Sequence, residues 1–266
     1  MPLLEIENLQ VNFATDDGAP TVAAEDVSLT LDRGEVLGLV GESGSGKSSV
    51  AMSVARLLPS PPAFWPNGRI LLDGEDVLTM PLKRLREIRG RKIGVVFQDP
   101  MGSLSPLHRI GEQRVETVLL HEKVSKAAAR ALAIDWLGRV GLPDPALRAR
   151  AYPHELSGGM QQRVMIAMAL MLEPDLLIAD EPTTALDVTI QAQVLRLMKD
   201  LHRANSAILL ITHDLGVVSQ LATKLAVMKL GRIVETSDDP SEFFRAPKHP
   251  YAQELIREAR RMELKD

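Results

Sequence analysis

Residues 34–58, GEVLGLVGESGSGKSSVAMSVARLL, leave the chain few folds to choose from. "GEVLGLV" is the continuous apolar run of a buried strand. A glycine-rich turn follows, and from Ser48 to Leu58 the apolar residues recur at helical spacing. Strands that alternate with helices along the chain point to an α/β fold with a mostly parallel core sheet. The turn itself is built for phosphate. Gly41, Glu42, Ser43, Gly44, Ser45, Gly46, Lys47 and Ser48, with Ser49 after them, fit the pattern G-x-x-x-x-G-K-[ST] between a strand and a helix. The glycines let backbone N–H groups close around phosphates, Lys47 brings charge to the β- and γ-phosphates, and the Ser48 hydroxyl suits Mg²⁺. A simple glycine turn is the alternative.

Around this unit the remaining segments sort by period. "LLEIENLQVNF" and "VSLTL" alternate apolar and polar residues and read as strands of an antiparallel β subdomain. "PSPPAFWPNG" reads as a turn cluster, "RILLDG" as a strand, Lys83 to Arg89 as a charged helix, and "KIGVVFQ" as a second buried strand. Residues of about 99–156 change character, with helices expected at roughly 111–121 and 125–140, Ser125 as N-cap and Gly141 past the end. Strands then alternate with helices: a helix to Leu172, the strand "LLIAD", a helix from Val188 to about Arg203, the strand "AILLIT", and "KLAVMKLGRIVE" as a hairpin. The domain reading is one α/β domain over 1–235, with a helical insertion at about 99–156, and an extension over 236–266.

"LLIADEP" sets Asp180 and Glu181 at the end of a buried strand, the edge at which open α/β sheets bind ligands. Asp180 suits Mg²⁺ through its water shell, and Glu181 is placed to hold an attacking water as general base. Taken alone, the pair could be an ordinary strand exit. Gln98 and His213 also end buried strands and are expected at the same edge, sensing a γ-phosphate, although turn and cap residues are common there too.

"YPHELSGGMQQRV", Tyr152 to Val164, is a second phosphate-seeking element: Ser157, Gly158 and Gly159 open a helix, so bare N–H groups and the positive end of its dipole face outward. The chain already holds its own phosphate cradle, and the helical block separates the two. The second element is therefore expected to serve a nucleotide held by another chain, in a head-to-tail pair with ATP at the interface. A helix N-cap in a glycine turn is the plainer reading.

Bulk properties narrow the class. The 266 residues include no cysteine, which removes disulfides, thiolate metal sites and iron–sulfur ligands. A net charge of −4 speaks against nucleic acid as a partner, and the basic run 82–92 lacks the interleaved aromatics that stack on bases. The N-terminus lacks the charge pattern of a secretory signal, and the longest apolar runs fall short of the ~20 residues that cross a bilayer.

In this order and context, "GESGSGKS", "VVFQDP", "LSGGMQQRV", "LLIADEPTTALD" and "ITHDLG" resemble the ATP-binding cassette ATPases over roughly residues 3–235. The resemblance implies that Gln98 is the Q-loop glutamine and a Mg²⁺ contact, Leu156 to Gln161 the signature, Asp187 the D-loop aspartate and His213 the switch histidine. Phe13 falls where the family stacks an aromatic on adenine, although a core strand residue would look the same. A narrower likeness, in "LMLEPDLLIADEPTTALDVTIQAQVL" and "PSEFFRAPKHPYAQELI", is to ATPase subunits of oligopeptide, dipeptide and nickel importers, and closest to the amino-terminal cassette of the microcin C and peptide type. It implies a subunit powering import of peptides or peptide-like compounds, with a metal-chelate importer or a nucleic-acid ABC ATPase as alternatives. The implied partners are a second cassette, identical or a sister chain, two transmembrane permease subunits and, indirectly, a solute-binding protein. The implied location is the cytoplasmic face of the cell membrane.

Overall fold

The computed structural model describes residues 2–16, 18–183, 188–201 and 205–263. In chain order the elements are β1 (Leu4–Phe13), β2 (Thr21–Leu31), β3 (Val36–Val40), α1 (Lys47–Val54), β4 (Ala63–Leu72), β5 (Glu75–Asp76), α2 (Leu82–Ile88), β6 (Ile93–Val96), α3 (Pro100–Ser103), α4 (Ile110–His121), α5 (Lys126–Arg139) and α6 (Pro145–Arg148). They continue as α7 (Gly158–Leu170), β7 (Leu176–Asp180), α8 (Val188–Leu201), β8 (Ala207–Thr212), α9 (Leu215–Leu221), β9 (Lys224–Lys229), β10 (Arg232–Ser237), α10 (Pro240–Arg245) and α11 (Pro250–Glu263). Two compact units result: residues 1–85 with 203–266, and residues 86–202.

In the first unit, an antiparallel sheet runs in the order β2-β1-β4-β5. A parallel group has β3 at its centre, flanked by β8 in register from Val36↔Ile208 to Val40↔Thr212 and by β9, with β10 antiparallel outside. Every residue of β3 and β8 is buried, as their continuous apolar runs require. The expected hairpin is present, as is the expected helix after the phosphate loop. That helix stops at Val54, short of Leu58. Arg56 turns left-handed at φ 51° and donates Nη1 to the Met80 carbonyl at 2.7 Å, a tie that a continuing helix would forfeit.

The expected turn cluster at 59–68 is corrected by the structure: Ala63 to Gly68 already belong to β4. Among the described residues Pro66 has no strand partner: β5 pairs only with Leu71 and Leu72, and the β1 register skips Pro66 between Phe64 and Asn67. Gly68, at φ 94°, packs its Cα so close to β1 that an added Cβ would lie 2.5 Å from the Leu9 Cα.

In the second unit β6 and β7 pair in parallel, Ile93↔Leu176 to Val96↔Ala179. Residues 99–156 hold only helices and turns. Ser125 caps α5 by accepting from Ala128 N at 3.2 Å, as its sequence position leads one to expect, and Gly141 follows at φ 74°. Among the described residues no helix is long and apolar enough to cross a membrane.

One buried cation stands out. Arg114 in α4 is fully inaccessible, its Nη2 donates to the Val164 carbonyl in α7, and its Nε and Nη1 find no partner among the described residues. Burial pushes the guanidinium down to about 9. Two buried donors without acceptors cost on the order of 1–3 kcal/mol each. Arg114→Met keeps the stem and removes the head, and is expected to raise the urea midpoint. A lowered midpoint would show that the guanidinium is satisfied after all.

Candidate active site

The phosphate loop is gripped from outside by backbone. A Cβ at Gly46 (φ 101°) would come 2.1 Å from the Ala23 carbonyl oxygen, and one at Gly41 would come 2.1 Å from that of Met228, so no other residue fits either position. The Gly231 N–H donates to the Ser45 carbonyl at 2.9 Å, tying the β9–β10 turn to the loop. Lys47, 4% exposed, curls into the loop and donates Nζ to the carbonyls of Gly41 and Glu42, both at 2.7 Å, and to Ser45 Oγ at 3.3 Å. The loop's own carbonyls thus hold the ammonium within the loop. No acidic residue occupies the first turn of α1, so nothing offsets the positive end of its dipole. Glu42, Ser43 and Gly44 lie at the exposed rim, with Gly41, Ser45 and Lys47 buried beneath.

His213 follows β8, and the register Val40↔Thr212 brings it out at the edge from which Gly41 leaves β3. Its side chain is exposed. The next residue, Asp214, caps α9 by accepting from Gly216 N at 2.8 Å. Phe13 ends β1 half-buried, opposite Thr21 and Ala63. It is neither a core side chain nor a fully open one.

In the second unit, the same logic joins another pair. Parallel pairing of Val96 with Ala179 delivers Gln98 and Glu181 to one edge, where Gln98 Nε2 donates to Glu181 Oε2 at 3.0 Å. Gln98 sits two residues beyond the end of β6 and is exposed. Asp180 is the last residue of β7 and 6% exposed. Glu181 holds a left-handed φ of 45°, a conformation that costs a non-glycine residue energy and is found where geometry at a site demands it. Asp187 lies outside the described residues.

The opening of α7 answers the choice between cap and phosphate site in part. Ser157 occupies the N-cap position (φ −66°, ψ 159°), yet its side chain makes no capping hydrogen bond. Leu156 and Gln161 are buried, and Gln161 Nε2 braces the preceding turn on the carbonyls of Pro153 and Leu156 at 2.8 and 3.1 Å. Ser157 and Gly158 remain exposed, and a Cβ at Gly158 would meet nothing within 4 Å. Gly159 differs: its bare Cα admits Ile190, whose Cγ2 would lie 3.0 Å from a Cβ there.

Sequence reasoning did not reach Tyr251. Its hydroxyl accepts from the Glu42 N–H at 3.0 Å, from a helix that the period of Tyr251, Leu255, Ile256 and Ala259 after Pro250 was sufficient to find. Ala23 and Met228, which back the loop through their carbonyls, carry no local signal at all.

Against known proteins, residues 24–184 match the ABC transporter family. The chain is 50% identical over 255 residues to the oligopeptide transport ATP-binding protein OppD of Bacillus subtilis, covering 96% of this chain and 71% of that one. It is 51% identical over 256 residues to the peptidoglycan transport ATP-binding protein YejF of Agrobacterium fabrum, covering 96% of this chain but 46% of that one, so it spans about half of that relative's length. The fold is similar to that of the dimeric ATP-binding cassette MJ0796 in a post-hydrolysis state bound to ADP and Pi, with a TM-score of 0.78, 27% identity and coverage of 88% of this chain and 97% of that one.

Proposed function

Since the chain belongs to the ABC transporter family as an ATP-binding cassette ATPase, we propose that it powers an importer for peptides or peptide-like compounds, working as one of two cassettes beneath a pair of permease subunits on the cytoplasmic face of the membrane. The cargo follows from what OppD and YejF are named for; the pairing follows from α7. A helix whose N-cap serine does not cap, and whose first glycine is open to solvent, keeps first-turn backbone donors that its own serine leaves unfilled. That is the observation that carries the reading. A phosphate of ATP bound to a second cassette fits those donors.

In this account the loop amides and Lys47 hold the phosphates, while Glu181 takes the proton of the attacking water. Gln98 orients the Glu181 carboxylate through their hydrogen bond, and His213 contacts the γ-phosphate. Ser157 and Gly158 act on the other chain's nucleotide, and Phe13 offers its half-exposed ring to the base. Ser48, Gln98 and Asp180 supply hydroxyl, amide and carboxylate oxygens, the hard donor set that suits Mg²⁺. When bound, that ion neutralises charge on the phosphates. Residues 236–266 form the extension that accompanies peptide-importer cassettes.

Dilution tests the pairing. ATPase activity per molecule is expected to fall toward zero as the chain is diluted into the monomer range, checked by mass at assay concentration; constant specific activity in a verified monomer would contradict it. Cells lacking the chain should take up a labelled oligopeptide only at background rate, and unchanged uptake would remove the peptide cargo.

A further inference from the structure

The Gly41–Glu42 peptide is held at both ends. A trans peptide is planar and points its C=O and N–H in opposite directions. Here the Gly41 carbonyl accepts from Lys47 Nζ at 2.7 Å, and the Glu42 N–H donates to Tyr251 Oη at 3.0 Å. Tyr251 thus gives the Glu42 N–H a partner on the side of the peptide opposite the Lys47 ammonium.

The tyrosine is itself fixed. It is 3% exposed and packs with Val40, the last residue before the loop, and with Leu215, Val227 and Phe243. Lys229 Nζ stands 4.3 Å from the ring centroid. The entry to α11 is clamped by Glu235 of β10, whose carboxylate accepts from the backbone N–H groups of Lys248 at 2.9 Å and His249 at 2.7 Å. Burial raises the phenol's pKa, so the hydroxyl keeps its proton.

We infer that Tyr251 is a positioning residue of the nucleotide site: it sets the Gly41–Glu42 peptide, and through that carbonyl the Lys47 ammonium, making the α10–α11 extension part of the ATP-binding apparatus. The inference rests on the reading of Gly41–Ser48 as the nucleotide loop. It gives the extension a means of tuning ATP affinity, since any displacement of α11 reaches Lys47 through one hydroxyl.

Tyr251→Phe in the full chain tests it, because the ring and its packing remain and only the oxygen leaves. The KM for ATP is expected to rise about fivefold, the worth of one ordinary hydrogen bond, with kcat changed by less than twofold and a melting temperature lowered by no more than about 4 °C. Hydrogen exchange at the Glu42 amide should accelerate in the variant. Unchanged KM together with unchanged Glu42 exchange would overturn the inference. A lowered melting temperature with wild-type KM would reduce Tyr251 to packing and overturn it too. If instead the wild-type chain bound no ATP, the failure would lie with the nucleotide site itself.

Discussion

Glu181→Gln is expected to cut steady-state ATP turnover by at least ~100-fold, the low end for removing a general base, while ATP still binds and holds two chains together. The substitution is close to neutral for the fold. It changes one oxygen for an NH₂ at the same size, and the remaining amide oxygen can take the Gln98 Nε2 hydrogen bond that now spans 3.0 Å. The amide side chain would sit on the same left-handed backbone, so the strain at φ 45° is carried equally by both proteins. What is lost is the proton acceptor alone. The measurement is ATP hydrolysis alongside size-exclusion chromatography with ATP present: near-normal turnover would remove Glu181 from the base role, and loss of ATP binding would show that the carboxylate supports the site instead.

Much of this arrangement was legible in the residues because it is local. The loop's glycines, the buried runs of β3, β7 and β8, and the polar residues that follow β6, β7 and β8 each announce themselves within a dozen positions, and parallel pairing then does the rest. Val96 against Ala179 is enough to set Gln98 beside Glu181, and Val40 against Thr212 to set His213 beside the loop. Non-local contacts were not legible. No periodicity says that Ala23 and Met228 turn their carbonyls toward Gly46 and Gly41, or that a tyrosine 209 positions away satisfies the Glu42 N–H. The prolines misled once: Pro61, Pro62 and Pro66 look like a turn, but β4 tolerates Pro66 where it has no strand partner. They also marked a signal that went unused. Asp239 before Pro240 is a helix start, with Asp239 Oδ1 accepting from Ser241 N at 2.8 Å, and the extension's helices could have been drawn from it.

The α7 opening separates two physical roles that sequence alone left open, and Gly158→Asp tells them apart by making them predict opposite signs. Within its own chain an aspartate there is welcome. A Cβ at 158 meets nothing within 4 Å, and α7 has no acidic residue in its first turn. A carboxylate at that end of the dipole is worth about 0.3–1 kcal/mol, and removing a helical glycine adds a similar amount. The melting temperature should therefore hold or rise. Against a phosphate from a second cassette the same carboxylate is repelled: two unit charges 4 Å apart at an effective dielectric of about 20 oppose each other by about 4 kcal/mol, close to a thousandfold in rate or affinity. The expected result is a chain at least as stable as wild type that binds ATP normally, with hydrolysis and ATP-dependent dimerisation reduced by at least ~100-fold. If hydrolysis and ATP-dependent dimerisation persisted in a chain at least as stable as wild type, α7 would be an ordinary helix opening and the shared site would have to be abandoned.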